Sequence, residues 1–262
     1  MLVDSHCHLA ADEFQNDRDA VVAAARAAGV QQMIIPAIER ANFAAVGACC
    51  LRYAGCFPAY GIHPLFVASA GPADLLALED CLRSAEQTSC PVVAIGEIGL
   101  DLYRIADDFS RQEHFFVEQL KIARKFDLPV LLHSRRAVDA VLKHLRRHRV
   151  RGGIAHAFNG SAQQADEFIR LGFKLGFGGA LTFAGSTRIL QLAATLPLEA
   201  IVLETDAPDM PPAWLNGGRN TPASLLRINS MLSELRGMHA TETAKATTTN
   251  VAAVLPQLLS PG

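Results

Sequence analysis

The chain begins Met1-Leu2-Val3-Asp4-Ser5-His6-Cys7-His8, an apolar run that ends in an acid and two histidines. In an extended strand, side chains two residues apart share a face. His6 and His8 therefore present two imidazoles together at the strand's end, spaced to share one metal ion. A His-x-His pair alone is a frequent accident, and two exposed or capping histidines near a terminus explain it as well. It gains meaning because the same arrangement, an apolar strand ending in a histidine or a carboxylate, recurs along the chain.

Outward from that start, the pattern predicts strands at Leu2 to His6, Gln32 to Pro36, Phe57 to Ile62, Val92 to Ile98, Pro129 to His133, Gly153 to Ala157, Lys174 to Gly178 and Ala200 to Thr205. Helical periodicity fills the gaps, the mark of βα units around a parallel sheet. One helix spans Asp19 to Ala28 and stops at Gly29. Ser110 with Glu113 reads as a capping box opening a second helix towards Phe126, and Ser161 with Gln164 as another, running to Gly172. Eight such units close into an α/β fold of the (β/α)8 TIM barrel type more naturally than into an open sheet, whose outer strands would be exposed edges. No linker or break in composition interrupts the chain, so a single domain over residues 1–262 is expected.

Composition narrows the class. Lys plus Arg number 24 and Asp plus Glu 26, so no strong overall field draws the chain to nucleic acid or an anionic membrane, and any nucleic-acid contact must be local. Half of the residues are apolar, enough for a large core. The six cysteines, Cys7, Cys49, Cys50, Cys56, Cys81 and Cys90, form no Cys-x-x-Cys, which suits reduced thiols. The N-terminal residues are not expected to act as a signal peptide, and no apolar run approaches the roughly 18 residues that span a bilayer. A cytoplasmic, monomeric protein with no membrane contact is expected. The one basic run, Lys143 to Arg151, falls at a helix end before a strand, at the bottom of a barrel, where cations complement the helix C-terminus.

Barrel active sites form where strands end. Those ends carry His6 and His8, His63 after the third strand, Glu97 on the fourth, His133 on the fifth, His156 on the sixth and Asp206 after the eighth. Each alone has a structural explanation. Together, histidines and carboxylates without a thiolate describe a divalent cation site with nitrogen and oxygen ligands. The six taken as ligands, His6, His8, Glu97, His133, His156 and Asp206, exceed what one tetrahedral ion needs and point to two ions bridged by a carboxylate.

The blocks Asp4-Ser5-His6-Cys7-His8, Gly61-Ile62-His63-Pro64, Gly96-Glu97-Ile98-Gly99-Leu100-Asp101, Leu128-Pro129-Val130-Leu131-Leu132-His133-Ser134-Arg135, His156-Ala157-Phe158-Asn159-Gly160 and Leu203-Glu204-Thr205-Asp206-Ala207-Pro208 resemble, in order and over nearly the whole chain, the TatD family of metal-dependent deoxyribonucleases among the amidohydrolase-like barrels, and most of all its YjjV-type branch. The resemblance implies that His6, His8 and Asp206 hold one metal, that His133 and His156 hold the other, and that Glu97 bridges them. It also implies that His63 contacts the substrate phosphate. Two positions depart from the family pattern: Thr221 stands where a Glu is common, and Leu65 where many members have a second histidine. Glu204 reads as a partner ordering the site from behind rather than a ligand, and Asp101 as a tether of its loop. Arg135 is either a fork for a phosphate oxygen or an outward salt-bridge partner. Phe66, Phe158, Phe183 and Trp214 fall in loops of the catalytic face, where they pack or stack on bases.

The activity so implied is hydrolysis of phosphodiesters by metal-activated water, with Asp206 and Glu97 as the catalytic carboxylates. The substrate is single-stranded DNA or its 3′ ends, shortened one nucleotide at a time, with two divalent ions that the donor set leaves as Mg, Mn or Zn. The alternative is an amidohydrolase-type reaction, or hydrolysis of a small phosphoester, on a small molecule. From another class comes a barrel that binds metal and a partner without turnover. The complete donor set argues against that last reading.

Overall fold

The computed structural model describes residues 1–85, 88, 90–103 and 108–258. Its eight parallel strands follow one another in chain order: β1 (Leu2–Asp4), β2 (Val30–Pro36), β3 (Cys56–Tyr60), β4 (Ala94–Asp101), β5 (Val130–Arg135), β6 (Gly153–Ala155), β7 (Phe173–Phe177) and β8 (Ile201–Leu203). Main-chain bonds from Ser5 N–H to the Leu203 carbonyl (3.0 Å) and from Asp206 N–H to the His6 carbonyl (2.9 Å) bring the last strand to the first. Around the barrel lie α1 (Arg18–Ala27), α2 (Phe43–Arg52), α3 (Pro72–Ala85), α4 (Phe109–Lys125), α5 (Val138–Arg147), α6 (Ala162–Arg170), α7 (Thr187–Thr195) and α8 (Leu225–Arg236). The architecture is the expected (β/α)8 barrel.

Strand alternation sorts the core into two sets. Val3, Ile34, Ala59, Leu131, Ile154 and Val202 pack together inside the barrel, whose floor is closed by Val251, Val254, Leu255 and Leu258 from and just beyond α9 (Ala240–Val254). Their neighbours Leu2, Met33, Ile35, Val130, Leu132 and Leu203 pack with the helices. The inward positions lead upward into polar side chains, from Leu131 to His133, from Ile154 to His156 and from Val202 to Glu204. None of the described helices is long and apolar enough to cross a membrane.

Local signals hold with corrections: β3, β6 and β8 end two residues before the expected Ile62, Ala157 and Thr205, and β4 runs on from Ile98 to Asp101. The Ser161 box forms as read, with Gln164 N–H donating to Ser161 Oγ (3.2 Å) and Ser161 N–H to Gln164 Oε1 (2.8 Å). The expected box at Ser110 does not. Asp108, already extended, accepts from Arg111 N–H (3.1 Å) and caps α4 two residues earlier, so Ser110 and Glu113 lie inside the helix. The first strand also stops at Asp4 rather than His6. The Asp4 carboxylate is buried and accepts from Thr205 Oγ (2.5 Å), Thr205 N–H (3.0 Å) and His6 N–H (3.3 Å), binding β1 to the end of β8. Burial pushes its pKa up to about 7 against those hydrogen bonds. The chain changes course there, which brings His6 and His8 into the mouth, whereas strict alternation from Val3 would have brought Ser5 and Cys7.

Close approach of β4 and β5 places the site. Gly99 has φ +150, and a Cβ on it would stand 1.9 Å from the His133 carbonyl oxygen. Gly99→Ala is therefore expected to lower the unfolding free energy by about 3 kcal/mol or more, because backbone must shift on both strands. Denaturant unfolding checks this, and an unchanged midpoint would refute the constraint.

Candidate metal centre

Each candidate donor is anchored through its main chain to a neighbouring strand end. His8 N–H donates to the Ala207 carbonyl (2.7 Å), Glu97 N–H to Ala37 (2.9 Å), His63 N–H to Ile38 (2.8 Å) and His156 N–H to Leu132 (3.0 Å), while His133 lies within β5 beside Gly99. Asp206 takes a left-handed backbone, φ +55, just past β8, a conformation that Asp tolerates better than most residues. Seven side chains from six strand ends so converge on the floor of a cavity of about 1250 Å³. A second, apolar cavity of about 640 Å³ lies at the opposite end, between α1, α8 and α9.

Glu97 is at the centre. Its Oε2 lies 3.1 Å from His6 Nε2 and 3.7 Å from His8 Nε2, while its Oε1 lies 3.0 Å from His133 Nδ1 and 3.6 Å from His63 Nε2. Asp206 Oδ1 stands 3.4 Å from His8 Nε2 and 3.7 Å from His6 Nε2, and its Oδ2 3.5 Å from His156 Nε2. Burial alone would raise both acids. The surrounding imidazoles overturn it and hold Glu97 well below the carboxylate range, as His156, His8 and His6 do for Asp206. Burial and the neighbouring His156 lower the pKa of His6, and burial pushes His63 down to about 3, so both rings stay neutral. His8, His133 and His156 go the other way despite burial, drawn up by their carboxylate neighbours.

These donors fit divalent cations. His6 Nε2 and His8 Nε2 face each other at 3.3 Å beside two carboxylate oxygens, an arrangement of lone pairs and negative charge that calls for a cation between them. No thiolate joins the set, for Cys7 turns away, its Sγ 3.7 Å from the Ala207 carbonyl and its thiol pKa raised by burial. Three groupings hold three donor atoms within reach of one point: His6, His8 and Glu97; His6, His156 and Asp206; and His63, Glu97 and His133. His133 and His156, paired by the family resemblance, fall in different groupings. His156 instead stacks on His6, ring centroids 3.7 Å apart.

Partners behind the donors choose which ring nitrogen faces inward. Glu204, buried, accepts from Ala157 N–H (2.6 Å) and lies 3.0 Å from His156 Nδ1, leaving Nε2 for the centre. Asp101, also buried, lies 3.0 Å from His133 Nε2, leaving Nδ1 towards Glu97, and with its other oxygen accepts from Tyr103 N–H (2.8 Å). His63 Nδ1 accepts from Leu65 N–H (3.2 Å), so the neutral ring carries its proton on Nε2. Leu65 thus acts through its main chain. In the Arg219-Asn220-Thr221-Pro222 block, Asn220 Nδ2 donates to the carbonyls of Thr205 (2.8 Å) and Asp209 (3.0 Å) and braces the loop bearing Asp206, while Arg219 pairs with Asp17 (2.5 Å).

The rim departs furthest from the sequence reading. Arg135 is exposed and makes no ion pair among the described residues; its guanidinium lies 3.6 Å from the centroid of the Tyr103 ring. Phe66 lines the cavity, but Phe158 is buried against Phe168 and cannot meet a base. Phe183 is exposed outside the lining, and Trp214 carries Arg227. Sequence reading passed over Tyr103, Arg136, Arg188 and Asn220. Tyr103 and Arg136 sit in loops without periodicity, Arg188 lies in the first turn of α7, and Asn220 signals itself only through its block.

The model of the family described as TatD related DNase matches residues 3–256. The chain is 42% identical over 249 residues, 95% of each chain, to the metal-dependent hydrolase YjjV of Escherichia coli strain K12. It is 32% identical to a Cronobacter sakazakii protein named a 3′-5′ ssDNA/RNA exonuclease, over 99% of this chain and 100% of that one. The crystal structure of the Escherichia coli YjjV protein superposes with a TM-score of 0.93 at 40% identity, covering 97% of this chain and 98% of the other. With that likeness over the whole barrel and a donor set suited to divalent cations, the chain belongs to the TatD family of metal-dependent hydrolases.

Proposed function

We propose that this protein is a phosphodiesterase that shortens single-stranded DNA from its 3′ end with two divalent cations, Mg, Mn or Zn. The observation that carries the reading is the use of both oxygens of one buried carboxylate, Glu97, by imidazoles on opposite sides. His6, His8 and Asp206 would hold one cation, His133 and His156 the other, with Glu97 between. The polynucleotide substrate is supported by the family description and the name of the Cronobacter relative.

Bound there, the cations supply Lewis acidity, neutralising phosphate charge and bringing the pKa of water towards neutrality. The chain's own groups do the rest. Asp206, kept ionised, orients the attacking water and is placed to receive its proton. His63, neutral with its proton on Nε2, donates to a non-bridging phosphate oxygen and is not a ligand. Glu204 and Asp101 hold His156 and His133 in the ring orientations that present a lone pair. A second reading, hydrolysis of a small ester or amide, is favoured by one observation: Asp12, Glu13, Glu39 and Asp209 line part of the mouth and would repel a polyanion.

With a 5′-labelled single strand, the metal-loaded protein is expected to give a ladder of shortened products, and Glu97→Ala to lose about 1000-fold or more of that activity while binding fewer ions. An intact strand beside full metal occupancy would move the assignment to the small-molecule reading. Glu204→Gln keeps an acceptor for Ala157 N–H but removes the charge beside His156. It is expected to weaken metal affinity about 10- to 100-fold without changing the melting temperature by more than a few degrees. Metal titration followed by thermal unfolding reads both, and unchanged affinity would refute the positioning role.

A further inference from the structure

The mouth of the cavity divides by charge along the order of the strands. Loops after β8, β1 and β2 bring Asp209, Asp12, Glu13 and Glu39 to its lining, whereas the loops after β4, β5 and β6, the end of β5 and the first turn of α7 bring Tyr103, Arg136, Asn159, Arg135 and Arg188. Loops follow strand order around a closed barrel, so the two groups face each other across the metal centre. Among the described residues no lysine or arginine lines the acidic half. The one carboxylate of the basic half outside the donor set among the described residues, Asp101, is turned inward onto His133.

These rim charges are left for a ligand. Among the described residues, no ion pair engages Asp12, Glu13, Glu39, Asp209, Arg135, Arg136 or Arg188. Arg135 and Arg136 lie 3.6 Å and 4.7 Å from the Tyr103 ring centroid, which gathers two guanidinium groups without neutralising them. Arg188 is held by the neutral Asn159 side chain, its Nη2 2.7 Å from Oδ1. Tyr103 itself is 47% exposed, so the two guanidinium groups it gathers stand at the open surface of the mouth.

From this split we infer that the body of a DNA strand lies over Tyr103, Arg135, Arg136 and Arg188, while the acidic half admits only the terminal nucleoside beyond the scissile phosphate. The inference rests on the phosphodiesterase reading above. A further phosphate on that side would meet four carboxylates with no cation among them. A terminal nucleoside brings instead a free hydroxyl and base amino groups, which donate to carboxylates. The charge split thus turns an open cavity into a site that removes nucleotides from an end, and it reconciles a polyanionic substrate with an acidic rim.

Two exposed double variants test it. Arg135→Glu/Arg136→Glu is expected to raise KM for a long single strand about tenfold or more with kcat retained. It should leave KM for a dinucleotide within about twofold and lower the slope of log KM against log salt by about 1.4, two phosphate contacts at about 0.7 each. Asp12→Lys/Glu13→Lys is expected to nick circular single-stranded DNA, which the unaltered protein leaves closed. Thermal unfolding confirms that each variant is folded. Long and short substrates affected alike, a circle cut by the unaltered protein, or a circle untouched by the lysine variant would overturn the orientation. A linear strand left whole by the unaltered protein would overturn the phosphodiesterase reading with it.

Discussion

A carboxylate 2% exposed, with imidazoles pressing on both its oxygens, is the interaction on which the rest of the structure depends. Burial disfavours the ionised form of Glu97, and only donors brought in from other strands reverse that preference. Those donors come from β1, β3 and β5, so no single βα unit can assemble the site. It exists only when the barrel is in register all the way round, including the join of its first and last strands. Asp4 makes that join. By holding Thr205 it fixes the residue before Asp206, and by accepting from His6 N–H it fixes the first donor of the chain. The bond that helps close the fold therefore also spaces the candidate donors.

The donors are not equivalent, and the groups at their backs explain why. An imidazole offers a lone pair from one nitrogen only when its proton sits on the other. Asp101 meets His133 Nε2 in a hydrogen bond, and the Glu204 carboxylate places its charge 3.0 Å from His156 Nδ1, so both rings turn their other nitrogen to the centre. His63 is arranged in reverse, its Nδ1 filled by Leu65 N–H. Proximity alone groups His63 with Glu97 and His133, yet its tautomer makes it a donor towards an anion. His6 has no hydrogen-bond partner on its buried Nδ1 among the described residues, so stacking on His156 and main-chain bonds orient it instead.

Much of this was legible in the sequence because a barrel converts sequence period into position. Strand ends lie at one face, residues two apart share a side, and a histidine or acid following an apolar run must then point into the mouth. That logic found His133, His156 and Glu204 through simple alternation. It found His6 and His8 for a partly mistaken reason, since the strand carrying them ends two residues before His6 and a buried acid redirects the chain. The cap of α4 was misplaced for a related cause. Asp108 and Ser110 both suit an N-cap, and which one serves depends on where the preceding loop delivers the backbone. Rim residues were least legible: Tyr103, Arg136 and Arg188 acquire meaning only when loops distant in sequence face each other.

If the substrate is the proposed DNA strand, the rim also bears on how a near-neutral protein would handle a polyanion. With a net charge of −2 the molecule has no long-range field to gather DNA, and such fields are screened beyond about 10 Å in ordinary salt. Selectivity must then come from charges close to the centre, acting over the width of the mouth. Among the described residues, three arginines on one half and four carboxylates on the other form a dipole across it. A uniformly basic ring would bind a strand at any point along its length and favour internal cuts. A dipolar ring ranks positions instead, favouring the one in which phosphates lie to one side only, and a strand satisfies that condition only at its end.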